Sequence, residues 1–279
     1  MIYKIADTNI KIEPFYKFTE QKLLPFITDE TDFDFEVSFS QEEIIKRSKS
    51  TENPCYIDEA EDVLILNYVI KKMLTDFDGF FFHSSCLMLN GEAYAFTAPS
   101  GTGKSTHTAL WRKHFGDRVT MINDDKPIIR KQNGIFYAYG TPWQGKSNIG
   151  NNIKAPVKAV FILQRGKENL CKRVKPGEVF KQILQATVVP AEKENMAKLL
   201  SLLDEFFSSA ELFSLVCNTD EQACITAYNS VFKSSRQLDV NSPTCPTVLK
   251  QSHIKVKKSS RQLNINKPNR TAKPTQNER

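Results

Sequence analysis

The sequence predicts an α/β fold: a mixed β-sheet with flanking helices, a phosphate loop (P-loop) whose strand is preceded by a β-hairpin, and a disordered C-terminal tail. Three observations carry that expectation. Strand-like and helix-like segments alternate along the chain. The pair Asn90-Gly91 joins two apolar runs, a strong two-residue hairpin signal. The stretch Ala98-Pro99-Ser100-Gly101-Thr102-Gly103-Lys104-Ser105 follows the second run and opens a helix.

The 279 residues are 40% hydrophobic and 25% charged, an ordinary globular composition. Three segments are expected: an α/β accessory region over 1–78, a P-loop domain over 79–232, and a basic tail over 233–279. The formal charge of +6 is unevenly placed. The tail holds 11 Lys and Arg against Asp239 and Glu278, so it carries +9 and the rest of the chain −3. The basic balance is therefore a property of the tail, and no specific nucleic-acid binding is expected. No apolar run reaches the roughly 18 residues a membrane span needs, and the N-terminus turns charged before a signal segment forms, so a cytoplasmic protein is expected. Six cysteines, Cys55, Cys86, Cys171, Cys217, Cys224 and Cys245, lack metal-site spacing and read as reduced thiols.

In chain order, 33–39 alternates apolar and polar residues as a half-buried strand does. Ser40 and Glu43 form a capping box for a short helix. A longer helix begins near Glu59, with Val63, Leu66, Ile70 and Met73 as its apolar face, and ends between Asp76 and Gly79. The hairpin strands and the phosphate loop follow, and the stretch from Ser105 to His114 reads as a helix. A strand from Arg118 to Asn123 then ends in Asp124-Asp125. Residues 157–163 read as a buried strand. Met196, Leu199, Leu200, Leu203, Phe206 and Phe207 mark a core helix, and 212–217 another strand. Thr219 and Gln222 cap a last helix bearing Ala223, Ala227, Tyr228 and Val231. After Phe232 no aromatic residue remains, and the segment cannot bury enough surface to offset its ordering entropy. The tail contains a near repeat, residues 233–241 and 258–266, read as a neutral duplication. Its paired serines, Ser234, Ser235, Ser259 and Ser260, are also candidate targets of the chain's own site.

The loop fits the Walker A pattern. Gly101 and Gly103 let backbone N–H groups turn inward on phosphate oxygens, Lys104 supplies a charge for the β- and γ-phosphates, and Ser105 offers a hydroxyl to Mg²⁺. Ala98 stands where the pattern has its first glycine; that position only ends the strand. With Asn90-Gly91 as the turn, Leu89 faces Glu92, Cys86 faces Ala95, and His83 comes to lie opposite Ala98 at the loop's mouth. A satisfied core histidine is the alternative. Asp124 and Asp125 sit where a Walker B carboxylate belongs. Asp124 is preferred as proton acceptor and Asp125 as the metal-side partner. Trp143, in the loop 139–146, is a candidate for shaping a substrate pocket. Lys146 is placed either to reach a phosphate or to remain solvated, and Arg165 either to neutralise transferring charge or to form a surface salt bridge.

Taken together, Phe82-His83-Ser84-Ser85, the Asn-Gly hairpin, Ala98 to Thr106 and Asn123-Asp124-Asp125 resemble the catalytic domain of HPr kinase/phosphorylase, itself similar to the nucleotide core of phosphoenolpyruvate carboxykinase. The resemblance covers about 79–166. It implies an ATP-dependent serine kinase with Lys104 on the phosphates, His83 nearby, Ser105 on Mg²⁺ and Asp124 accepting the proton. No Asp or Glu occurs between Asp125 and Glu168, so the second metal carboxylate of that family is missing or replaced by Asp125. A divergent, kinase-like member with another acceptor is expected.

The functional expectation is thus an ATP- and Mg²⁺-dependent phosphotransferase acting on a serine of a protein or peptide, bound at 98–106. The alternatives are a non-catalytic ATP-binding or sensor module and a carboxykinase-like enzyme. The sequence leaves homo-oligomerisation open.

Overall fold

Alternation along the central strands decides which helices cover which face of the sheet. The computed structural model describes residues 1–50 and 54–240, with side chains as far as Phe232. An N-terminal sheet of β1 (Ile2–Ile5), β2 (Thr8–Ile12) and β3 (Phe35–Val37) packs with α1 (Lys17–Leu23), α2 (Gln41–Ser48) and α3 (Ile57–Asp76). The expected capping box of α2 is present: Glu43 N–H donates to Ser40 Oγ, and Ser40 N–H to Glu43 Oε2.

The buried face of α3 differs from the expected one. Ile65, Leu66, Val69 and Met73 are buried, whereas Val63 and Ile70 are half-buried. The helix is rotated because two of its acids also face inward. Glu61 accepts the backbone N–H groups of Phe15 and Tyr16, and Asp62 accepts Trp143 Nε1 at 3.0 Å and Lys22 Nζ at 2.7 Å. A buried carboxylate is stable only with such partners.

The larger sheet contains β4 (Gly79–Phe81), β5 (Ser84–Leu89), β6 (Glu92–Thr97), β7 (Val119–Asn123), β8 (Ile128–Gln132), β9 (Ile135–Tyr139), β10 (Lys154–Arg165), β11 (Leu170–Arg173) and β12 (Glu211–Cys217). Its order is β4-β8-β9-β10-β6-β5-β7, with β12 also on β10 and β11 on β12. The strand β10 pairs with β9 antiparallel at its start, with β6 parallel from Val157 through a register shift before Ala159, and with β12 parallel from Ala159 on. The hairpin register is as the Asn-Gly turn requires: Leu89 opposite Glu92, Cys86 opposite Ala95 and Ser84 opposite Thr97. Asn90 and Gly91 carry φ of 55° and 80°, the two positive values of a type I′ turn.

One face of this sheet, with Leu87, Tyr94, Phe96, Phe161 and Phe213, is covered by α4 (Lys104–Phe115) and α7 (Gln222–Val240). The other, with Ala93, Ala95, Val160 and Ile162, is covered by α5 (Pro176–Gln185) and α6 (Lys193–Ser209). The small alanines admit the aromatic cluster of Phe80, Phe82, Phe136 and Phe206. In α6 the buried set is Leu199, Leu202, Leu203, Phe206 and Phe207, while Leu200 faces outward.

The strands β6 and β7 are not neighbours. Both run antiparallel to β5, which lies between them. Three chain ends therefore meet at one edge: the start of β5, the exit of β6 and the exit of β7. The parallel strands β10 and β12 end at the same edge.

The regions 1–78 and 79–232 fall within one compact unit, Met1–Asp239. The expected tail boundary after Phe232 lies inside α7, whose backbone continues helically to Val240. Residues 241–279, including the second copy of the repeat and Cys245, lie outside the described residues. The cysteines 55, 86, 171, 217 and 224 are free. Among the described residues, no helix is long and apolar enough to cross a membrane.

Gly140 holds the loop after β9 against β7. A Cβ there would lie 1.8 Å from Asn151 O and 2.8 Å from Ile122 O, both backbone atoms. Gly140→Ala should therefore destabilise the protein by about 1–3 kcal/mol, the usual cost of overpacking. Urea unfolding checks this; an unchanged midpoint would contradict the close approach.

Candidate functional site

The loop between β6 and α4 is shaped by its glycines. Gly101 and Gly103 carry φ of 77° and 120°, a region open to glycine and strained for other residues. Gly103 caps α4, so the positive end of that helix and its unpaired N–H groups open at the loop. The loop is held from behind. Thr102 N–H donates to Pro99 O at 3.2 Å, and Arg165, at the end of β10, donates Nε to Thr102 O at 3.1 Å and a second N–H to Gly101 O. Arg165 forms no surface salt bridge among the described residues; its Nε and one terminal N–H are given to backbone carbonyls of the loop.

Lys104 is 8% exposed, and its Nζ donates to Ala98 O at 3.0 Å. Burial pulls its pKa below the ordinary lysine value, against the opposing pull of Asp125 and Asp124. Ser105 and Thr106, on the first turn of α4, are exposed.

At the exit of β7, Asn123 sets the turn that presents the two aspartates. Its Oδ1 accepts the backbone N–H groups of Asp125 and Lys126, at 2.8 and 2.7 Å, while its Nδ2 bonds Thr141. Asp124 is buried. Its Oδ1 accepts Ser85 Oγ–H at 2.5 Å, and Ser85 is also bonded to Thr108 of α4 at 2.9 Å. Its Oδ2 accepts the hydroxyl of Ser147, also at 2.5 Å. Asp125 points elsewhere, to His83 Nε2 at 3.1 Å and Lys126 Nζ at 2.7 Å. Burial raises the Asp125 pKa, but those two partners outweigh it and bring it to about 2, so the group is ionised. His83 is fixed at the start of β5 by its N–H to Ala186 O at 2.7 Å and by Thr97 Oγ1–H to its own carbonyl at 3.0 Å.

His83, Ser100, Gly101, Gly103, Lys104, Ser105, Thr106, Asp124 and Asp125 line one cavity of about 530 Å³, together with Gly145, Lys146 and Ser147. Ala98 and Pro99 instead line a neighbouring cavity of about 660 Å³ under α5. Thr102 lines a third, of about 390 Å³, which shares Gly103 and Thr106 with the first and is closed by Arg165, Cys217 and Asn218. His107 also borders this third space. Burial lowers its pKa to about 4, and its Nε2 accepts Trp111 Nε1–H at 3.0 Å, so the neutral ring carries its proton on Nδ1.

Trp143 is not among the residues lining that first cavity, but it borders an adjoining space of about 1010 Å³ that shares Asp125, Gly145 and Lys146 with it. It is 3% exposed, bonded to Asp62 and set edge-on against Phe81, and it ties the 140–152 loop to the N-terminal core. Ser85, Asn123 and Ser147 carry the contacts to the aspartates, and Thr141 holds Asn123, without having been singled out by the sequence. Ser85 and Asn123 lie inside quoted motifs and Thr141 inside the 139–146 loop; Ser147 lies one residue beyond it and has no sequence signal of its own.

No family model matches the chain, and no curated protein matches it. Among solved structures it is similar to the Hpr(Ser) kinase/phosphatase from Coxiella burnetii, at 11% identity over 57% of this chain and 93% of that one, with a TM-score of 0.33. So loose a superposition assigns neither fold nor function.

Proposed function

We propose that the chain is an ATP- and Mg²⁺-dependent phosphotransferase that moves the γ-phosphoryl group to a hydroxyl, that of a serine in a protein or peptide. The observation that carries this reading is the convergence of a buried lysine, a helix N-terminus and two differently partnered aspartates on one cavity. A cavity with that set of charges suits a chain of phosphates at one side and a proton acceptor at the other.

In this reading the N–H groups at the start of α4 and Lys104 bind the β- and γ-phosphates. The nucleoside extends past Thr106 into the 390 Å³ space, which lacks the carboxylates. Mg²⁺ commonly keeps several waters and takes one or two protein oxygens beside the phosphates. Exposed Ser105 and ionised Asp125 fit that modest donor set and would hold it, where it would neutralise phosphate charge. Asp124, oriented by buried Ser85, accepts the proton of the attacking hydroxyl through Oδ2. His83 holds Asp125 in place. Positioning and charge stabilisation supply most of such catalysis.

Calorimetric titration with Mg·ATP, followed by transfer of labelled γ-phosphate into the proteins of a cell extract, tests the reading. Binding with transfer is expected. Absence of ATP binding would overturn it, and binding without ADP formation would leave a nucleotide-binding module in its place.

A further inference from the structure

The loop that closes the cavity carries a serine in the acceptor position. Ser147 lies on a tight turn in which Asn148 N–H returns to Gly145 O at 3.4 Å and Asn148 adopts φ of 48°. The turn sits directly on the aspartates: a Cβ on Gly145, whose φ is 68°, would lie 2.9 Å from Asp125 Cβ. Only a glycine lets the backbone approach that closely. The approach delivers the exposed Ser147 side chain to the free oxygen of Asp124, where its hydroxyl donates at 2.5 Å. The other oxygen is already occupied by Ser85, inside the core. Among the described residues, Ser147 is thus the hydroxyl that lines the phosphate cavity and bonds to the proposed base.

We infer that Ser147 is a phosphorylation site of the chain's own catalytic centre, filled in cis. The inference rests on the phosphotransferase reading above and names its first acceptor. Ser147 Oγ attacks the γ-phosphorus of ATP, an Oγ–P bond forms, and the bond from that phosphorus to the bridging oxygen breaks with its electron pair leaving on ADP. The hydroxyl proton goes to Asp124. The product places a phosphoserine of charge about −1.5 to −2 beside two aspartates, which repel it. The loop is then driven off the carboxylates, and the site is opened to an external hydroxyl. Each chain takes one phosphate at this position.

The test uses the full chain incubated with Mg·ATP labelled at the γ-phosphate, with ADP formation followed in parallel and the modified residue mapped by mass spectrometry. One phosphate per chain on Ser147 is expected, at a rate per chain unchanged over a tenfold range of protein concentration. Ser147→Ala should abolish that label. Gly145→Ala, which sets a methyl against Asp125 and forces the turn and that carboxylate apart, should slow it at least tenfold; Mg·ATP affinity, measured in parallel, should be kept if the turn gives way and lost if Asp125 does. ADP formation with Ser147 unmodified, or label confined to the tail serines, would overturn the inference while leaving the phosphotransferase reading intact. A rate that rises with protein concentration would overturn the assignment in cis. A chain that binds no ATP would sink the underlying reading instead.

Discussion

Lys104→Ala is expected to lower phosphoryl transfer by about 10²–10³-fold, the loss typical of removing one preorganised charge from a transition state. The lysine is held in advance: its stem is buried at the start of α4 and its ammonium rests on Ala98 O, at the rim of the phosphate-loop cavity. A group already desolvated acts on phosphate charge more strongly than a solvated one. The variant should still fold, because alanine suits the helix and position 104 lies on its first turn, lining a cavity. Transfer rates with saturating ATP, compared beside a thermal melt, make the check. Near-normal transfer by a folded Lys104→Ala protein would remove the lysine from the mechanism.

Asp124→Asn should cost about 10²–10⁴ in transfer rate, the range for losing a positioned proton acceptor, while ATP affinity is largely kept. The substitution is nearly isosteric, and both hydroxyls on Asp124 can turn from donating to accepting. Ser85 also retains Thr108. The fold should therefore tolerate the amide, and what disappears is a site for the proton. Single-turnover measurements separate this from weakened binding. Equal losses in ATP affinity and transfer would place Asp124 among the phosphate-binding groups instead.

Local signals in the sequence were legible where the chain answers to its own neighbours. The Asn90-Gly91 turn fixed the β5–β6 register because two positive φ values permit one hairpin geometry. Glycines at 101 and 103 announced a loop whose backbone turns inward, and Ser40 with Glu43 announced the start of α2. What depends on distant partners was not legible. No local pattern says that β5 inserts between β6 and β7. Periodicity alone misplaces the buried face of α3 because it treats Glu61 and Asp62 as exposed, whereas Trp143 and the backbone at Phe15 and Tyr16 draw them inward. Ser147 reaches Asp124 from 23 residues away, and Arg165 reaches Gly101 from 64. Contacts of that kind are properties of the assembled sheet.

The hairpin also has a consequence in time. A two-residue hairpin closes in about 1–10 μs, whereas pairings far apart in sequence wait on loop closure. The β5–β6 ladder therefore sets early, and it already brings His83 beside the exit toward the phosphate loop. The β5–β7 ladder, which carries the two aspartates, spans an intermediate separation, and the β10–β12 ladder needs α5 and α6 in between. Sequence separation thus predicts an order of assembly for the cavity: the β6 edge first, the carboxylates next, the wall at the ends of β10 and β12 last.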